Sequence, residues 1–319
     1  MYFVLAYYHF KEIKDPHAFV KAHKEYLQDK DAKGRIYINE GGVNGQMSIH
    51  EALAEEYIEW LNAFEPLKGV DIKIHLFDTH VFAKLTIKYR KQLAALDSTV
   101  DMAQTGEHVA PNAWKRMLET KDENTILVDV RNQYEWEVGH FDGALLPKLD
   151  TFRDFKEYVD ELKKTYDTKK TKVMMYCTGG IRCEMYSCLM KDKGFDSVFQ
   201  LDGGVIKYGL EEGSKHWKGK LFVFDDRMAV PISQGKTEVI AHCHKCSCPC
   251  EVYYNCANMD CNKLFISCAD CAKELEGCCS TKCTREPRVR EFTPSKHPKP
   301  FRKLPFEEKS ELNAKGSLR

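Results

Sequence analysis

No cysteine occurs before Cys177 in this chain of 319 residues. A secreted disulfide scaffold would not leave its first half without cross-links, so that class is excluded. Net charge is also lacking, because 48 Lys/Arg balance 48 Asp/Glu. No whole-protein field therefore points to nucleic acid or to a membrane. No apolar run approaches the length of a membrane span. The start, Met1 to Tyr8, is apolar, but no basic region precedes it and His9 to Lys11 interrupt it. It reads as a first strand rather than a signal peptide. A soluble, cytoplasmic protein is expected. Flavin and NAD fingerprints, a haem motif and a facial triad of two His and a carboxylate are all missing as well.

What is present falls into blocks. Residues 1–95 read as strand, helix, strand, strand, helix, strand. Tyr2 to Tyr8 form the first strand, and Phe19, Val20, His23, Tyr26 and Leu27 recur at helical spacing. Arg35 to Asn39 and Val43 to Ile49 are strands around Gly41-Gly42, and Ala52 to Phe64 is a second helix. Ile72 to Phe77 and Phe82 to Tyr89 are extended. This order predicts a ferredoxin-like α+β domain. Residues 110–215 alternate short buried strands with amphipathic helices, which predicts a parallel α/β sheet. The third block, 216–290, holds eleven of the fourteen cysteines, between Cys243 and Cys283. The tail, 291–319, belongs to a segment that from Arg285 carries ten Lys/Arg, five Asp/Glu and five prolines. It cannot build a core alone.

Chemistry concentrates where the strand Val173 to Tyr176 ends at Cys177. Thr178, Gly179, Gly180 and Ile181 follow, then Arg182. Two glycines let successive backbone N–H groups turn inward and make an anion-binding concavity. The helix beginning near Arg182 aims its positive end at the same point, and Arg182 adds charge. All of these favour a thiolate at Cys177. Asp129 and Arg131, at the end of the strand Ile126 to Val130, are expected to brace the loop by charge pairing. His140 reads as a structural turn residue. Cys183 could resolve an oxidised Cys177 or simply pack, with packing preferred. Cys188 reads as packing.

The later cysteines are spaced as metal ligands. Two-residue spacers bring paired thiolates to one ion, and tetrahedral zinc takes four. Cys243, Cys246, Cys256, Cys261, Cys268, Cys271, Cys279 and Cys283 would make two sites, with His242 and His244 in reserve. Which pairs share an ion is not readable from the spacing. Such a lobe would be structural, since a small cysteine-rich unit lacks core area.

The segments Asp129-Val130-Arg131, Tyr134-Glu135, Gly139 to Ala144, the Cys177 loop and Gly203-Gly204 resemble the rhodanese family. That resemblance implies a persulfide at Cys177, with loop amides holding the transferred anion. Related phosphatases carry five residues between cysteine and arginine; the four here make a sulfur-sized cradle. The whole order of blocks is similar to the bacterial tRNA uridine hydroxylases, the TrhO family. The resemblance rests on Asn39 to Gly45, Cys177 to Glu184, Leu201 to Tyr208, Phe222 to Arg227 and Asn255 to Asn258. It implies oxygen-dependent hydroxylation of the wobble uridine of tRNA through Cys177, with molecular oxygen as co-substrate and tRNA as partner. A general sulfurtransferase and a zinc-organised RNA-binding scaffold are the competing readings. Oxygen activation does not follow from these residues.

Overall fold

A computed structural model of the chain describes residues 1–94, 100–149 and 155–295. The chain divides into two compact units, Met1–Ala241 and His242–Arg319. The basic tail falls outside the described residues from 296 on.

The first unit opens with β1 (Tyr2–His9), α1 (Pro16–Leu27), β2 (Ala32–Asn39), β3 (Gly42–His50), α2 (Glu51–Asn62), β4 (Ile72–Phe77) and β5 (Leu85–Tyr89). The strands lie in the order β4-β1-β3-β2-β5. The first four have the expected ferredoxin-like arrangement, and β5 adds to the edge, parallel to β2. Alternation makes this sheet two-faced. Leu5, Ile36, Ile38, Val43, Met47 and Ile49 are fully buried with Phe19 and Leu27 of α1 and Tyr57 and Leu61 of α2. Each such side chain is worth about 1.5–3 kcal/mol of burial. The α1 start is fixed by Pro16 and by Asp15, whose side chain accepts from Ala18 N at 2.8 Å. With both helices on one face, the other face carries Tyr8, Asn44, Gln46, Arg35 and Tyr37.

The parallel sheet follows. It is built from β6 (Glu107–Val109), α3 (Pro111–Glu119), β7 (Thr125–Asp129), α4 (Gln133–Trp136), β8 (Gly139–Phe141), α5 (Phe155–Thr165), β9 (Lys172–Tyr176), α6 (Ile181–Asp192), β10 (Ser197–Leu201) and α7 (Gly204–Glu212). The order β6-β10-β9-β7 is parallel throughout. One helix departs from the expected amphipathic pattern. α6 buries Cys183, Glu184, Tyr186, Ser187, Cys188, Leu189 and Met190, so it is enclosed on most sides. Its polar residues are satisfied inside: Ser187 Oγ accepts from Gly106 N at 2.8 Å, and Cys188 Sγ donates to Glu184 O.

The compact unit that holds the cysteine cluster begins at His242. β11 (Trp217–Gly219) pairs with β8, and β12 (Leu221–Phe222) pairs with β13 (Ala229–Val230). Trp217, Leu221, Val223 and Ile232 pack with Phe141, Tyr176 and Tyr208 in the core of the parallel-sheet domain. The apolar character of these residues, not the cysteine count, decides where they belong. The same segment ties this domain to the N-terminal sheet. Asp226 N donates to Val81 O at 2.9 Å, and Arg227, bidentate to Asp225, lies over the Phe77 ring.

The second unit contains β14 (Tyr253–Asn255), β15 (Leu264–Ile266) and the short α8 (Ala269–Glu274). β14 and β15 form one antiparallel hairpin. Tyr254, Cys256, Ala257, Phe265, Ala272 and Cys278 make one hydrophobic cluster in it.

Asp129 and Arg131 are both wholly buried and bidentate, at 2.8 and 2.6 Å. Arg131 also donates to Gly139 O at 2.7 Å and to Glu135 O. Arg131→Met would strand the buried Asp129 carboxylate and two carbonyls. The expected cost is about 3–5 kcal/mol, read from the urea-unfolding midpoint. A loss below about 1 kcal/mol would show the pair to be dispensable.

Candidate active site and metal centres

Cys177 lies where β9 meets α6, at the floor of a cleft of about 460 Å³. One wall is the open face of the N-terminal sheet, with Tyr8, Arg35, Tyr37, Asn44 and Lys73. The other is the loop itself with Tyr134, Tyr186 and Phe224. Both walls belong to the first compact unit.

The loop is built as the residue types require. Gly180 has φ +101°, and the Tyr8 hydroxyl oxygen lies 2.6 Å from where its Cβ would be. Gly204, at φ +66°, leaves the room through which the loop passes: a Cβ there would meet Cys177 O at 2.6 Å and Gly180 N at 2.7 Å. Two helix starts then grip the loop from opposite sides. Gly180 N, just before α6, donates to Cys177 Sγ at 3.1 Å. From the start of α7, Val205 N and Ile206 N donate to the carbonyls of Cys177 and Thr178, each at 3.0 Å.

These groups set the charge on the sulfur. Burial alone would raise the Cys177 thiol. The hydrogen bond from the Cys183 thiol, the Arg182 charge and the backbone N–H groups of Cys183 and Arg182 outweigh it and bring Cys177 down to about 5. Cys183 moves the opposite way: burial and the adjacent Cys177 thiolate keep it protonated. Cys183 is therefore a hydrogen-bond donor to the reactive sulfur as well as a packing residue. Its place in the first turn of α6 was the available signal, since that turn faces back toward the loop.

Arg182 is not a free cation over the cradle. It is bidentate to Glu135, at 2.5 and 2.7 Å, and lies over the Phe224 ring. Glu135 is fully buried. Burial would raise its carboxyl, but Arg182, with Arg131 and the Asn132 N–H, holds it below the usual carboxylate range. Thr178 Oγ1 also donates to Glu135. Glu135 is thus the direct anchor of the loop. The Asp129–Arg131 pair acts one step away, through Glu135 O and Gly139 O. Tyr8 donates to Glu184 Oε1 at 2.9 Å, which joins the N-terminal sheet to α6 directly behind the loop. His140 lies in strand β8 rather than in the expected turn, its Nδ1 at 2.8 Å from Trp136 O.

The second unit gathers all eight of the proposed ligand cysteines. Cys243, Cys246, Cys268 and Cys271 form one group, and Cys256, Cys261, Cys279 and Cys283 form another. Within each, the sulfurs lie within 4.8 Å of one another, so each could hold a metal ion. The groups interleave along the chain, which spacing alone left open. His242 and His244 belong to neither. The spacing is compatible with zinc. Four sulfurs about 2.3 Å from one ion stand about 3.8 Å apart at tetrahedral corners, and the sulfurs of Cys246 and Cys268 are 3.7 Å apart, those of Cys261 and Cys279 3.7 Å, and those of Cys279 and Cys283 3.8 Å. Burial opposes ionisation of Cys243, yet the N–H groups of Cys246, Cys268 and Lys245 bring it down to about 5. Cys250 and Cys278 pack instead, Cys250 donating to Ser267 O at 3.1 Å.

No described helix is long and apolar enough to cross a membrane. Residues 2–93 match the UPF0176 acylphosphatase like domain, residues 110–211 the rhodanese-like domain, and residues 218–284 the rhodanase C-terminal family. The tRNA uridine(34) hydroxylase of Protochlamydia amoebophila is 54% identical and covers 98% of each chain. That of Chlamydia felis is 48% identical over 98% of this chain and 97% of its own. That of Chlamydia pneumoniae is 46% identical over 99% and 98%. Among solved structures, the rhodanese-like domain of an Anabaena protein is 21% identical. It covers 36% of this chain and 80% of its own at a TM-score of 0.30.

Alkylation of Cys177 by iodoacetamide, followed by mass spectrometry of its peptide, is expected to rise with pH through a midpoint near 5. The thiolate reacts and is lost below that midpoint. Cys183→Ala removes one donor and is expected to move the midpoint up by about one pH unit. An unmoved midpoint would show that the Cys183 thiol does not hold the charge.

Proposed function

The chain belongs to the tRNA uridine(34) hydroxylase family, and from that premise we propose that it hydroxylates C5 of the wobble uridine of tRNA, with molecular oxygen as co-substrate and Cys177 as the working residue. One observation carries the reading: the Cys177 thiolate sits at the floor of a cleft of about 460 Å³ walled by Tyr8, Tyr37, Tyr134 and Phe224 with Arg35 and Lys73. That is the size class of a small-ligand site. Its aromatic and cationic lining suits an unpaired base with its phosphates, presented out of the stack.

Cys177 is proposed to act as a persulfide. Its thiolate attacks the outer sulfur of a sulfane donor, an S–S bond forms, and the donor leaves as its anion. The terminal sulfur so gained remains anionic beside the amides of Gly180, Arg182 and Cys183, which already face Cys177 Sγ. Thr178 and Arg182, both fastened to Glu135, keep the loop in the shape that this charge requires. For the hydroxylation, one oxygen atom enters at uridine C5 and the other leaves as water. A two-electron reductant of the thiol class balances the reaction. A cytoplasmic location goes with a tRNA substrate.

The second unit is proposed to hold two structural zinc ions, one in each cysteine quartet. Each quartet supplies four thiolates and leaves no open position, as structural zinc requires. Zinc would supply folding energy to a unit with one short hairpin and little apolar core. Metal analysis of the purified protein is expected to give two zinc per chain. Chelation is expected to make the 242–295 region protease-sensitive. A full-length protein free of zinc and equally protease-resistant would defeat this assignment.

Nucleoside mass spectrometry of tRNA tests the activity. A deletion strain carrying the wild-type chain under isotopically heavy oxygen is expected to show 5-hydroxyuridine derivatives bearing the label. The same strain with Cys177→Ser is expected to lose them by at least about 100-fold. If Cys177→Ser abolishes thiosulfate turnover yet leaves the tRNA unchanged, the protein is a general sulfurtransferase instead.

A further inference from the structure

The N-terminal sheet presents an ordered surface that the cleft does not exhaust. Strand pairing places residues of its open face in rows. Tyr8 faces Asn44 across β1 and β3, and Asn44 faces Tyr37 across β3 and β2. Tyr37 faces Lys88 across β2 and β5. The neighbouring row runs from Lys73 through Ala6, Gln46 and Arg35 to Thr86. Tyr8, Asn44, Tyr37, Gln46, Arg35 and Lys73 line the cleft above Cys177. Lys88 and Arg90 lie beyond it, exposed, on the added strand β5 and just past its end. The rows therefore run out of the cleft and across the sheet to its edge.

The charges on this surface are available. Arg35, Lys88 and Arg90 form no ion pair with a carboxylate among the described residues. Their contacts are with rings instead: Arg35 lies 5.5 Å from the Phe82 centroid, and Lys88 and Arg90 lie 5.9 and 5.2 Å from that of Tyr37. Lys73 differs, being held by Asp71 at 3.0 Å. Tyr37 is half-buried, with its ring flanked by two cations. A base stacked on that ring gains more than the solvent-exposed cation contact it displaces. The displaced cations then stand beside the stacked nucleotide, where its phosphates lie.

We propose that the open face of this five-stranded sheet is a platform for single-stranded RNA, with Tyr37 stacking the base next to the one held over Cys177 and with Lys88 and Arg90 taking phosphates on the way out to the sheet edge. The inference rests on the tRNA reading given above and extends it to a binding surface. Single-stranded RNA fits better than a duplex, because Tyr8 and Tyr37 line a cleft that only unstacked bases can reach. Ala6 in the middle of the second row leaves the surface low between Lys73 and Gln46. The helices, with their buried faces on the opposite side, do not contribute.

The test is equilibrium binding of the full-length protein to a fluorescein-labelled RNA stem–loop with uridine at the first anticodon position, read by anisotropy over a range of salt. Tyr37→Ala is expected to weaken binding about fivefold or more, and Tyr37→Phe to restore it. Lys88→Gln with Arg90→Gln is expected to flatten the salt dependence by about 1.4 in the log–log slope. A blunt RNA duplex of equal charge is expected to bind more weakly than the loop. Circular dichroism and thermal melting identify any variant that fails to fold, and Tyr37→Phe then carries the comparison. Binding by Tyr37→Ala within twofold of wild type, an unchanged salt slope, equal affinity for the duplex, or equal competition by poly-glutamate would each overturn the platform. These readouts do not depend on turnover. A wild-type chain that modifies tRNA while Tyr37→Ala binds normally removes the platform and leaves the activity. A wild-type chain that binds the loop through Tyr37 but leaves 5-hydroxyuridine unformed does the reverse.

Discussion

The loop around Cys177 keeps its shape because Glu135 is ionised where no water reaches it. A carboxylate with no exposed surface would ordinarily take up a proton. Here Arg182 meets it in a two-point ion pair, Thr178 adds a hydrogen bond, and the N–H of Asn132 completes the set. Removing Arg182 would leave a buried carboxylate without its counter-ion, so the pair is worth more as a constraint than as net stability. Because Arg182 and Thr178 both belong to the loop, the constraint passes directly to the amides that face the sulfur. Arg131, itself fixed by Asp129, grips the backbone of Glu135 from the other side. The thiolate is thus the last link in a chain of buried charges: Asp129, Arg131, Glu135, Arg182, Cys177.

Part of this was legible in the residue order. A buried strand ending in cysteine, two glycines and a helix has few other physical meanings, and the eight cysteines that the fold gathers into two quartets could be named from their spacers. The ferredoxin-like order was legible because period-two and period-3.6 patterns alternate cleanly through the first 89 residues. What escaped depends on long-range contact. Glu135 meets Arg182 across 47 positions, and nothing local marks it as an anchor rather than an ordinary capping residue of α4. The role of Cys183 depends on how α6 is turned, and α6 itself defeats pattern reading because it is buried on most sides. Trp217 to Ile232 lie near the cysteines in sequence but pack with Tyr176 and Phe141. The pairing of ligand sets was hidden for the same reason: spacing identifies neighbours, while pairing is set by how the chain returns on itself.

The union of the two domains in the first unit has a chemical side. A thiolate near the surface of an isolated parallel-sheet domain would meet any small electrophile. Here Tyr8 hydrogen-bonds behind the loop and its hydroxyl crowds Gly180, so the N-terminal sheet is part of the loop's support as well as a wall of its cleft. The segment Phe224 to Arg227, which begins at the cleft wall, fastens the two domains. Access to the Cys177 sulfur is thereby confined to whatever fits between an aromatic, cationic sheet and the loop.

The interleaving of the two cysteine quartets bears on how the chain is made. Synthesis delivers residues in order, N-terminus first. The first quartet cannot close until Cys271 has emerged, and by then Cys256 and Cys261 of the second are already waiting. A nascent chain that ends between Cys261 and Cys268 carries two ligands from each set and completes neither. No half-length version of the lobe has a finished centre. The last stretch, through Cys279 and Cys283, must arrive before the second quartet can close, so the two halves of the unit are gathered one after the other from an interleaved chain.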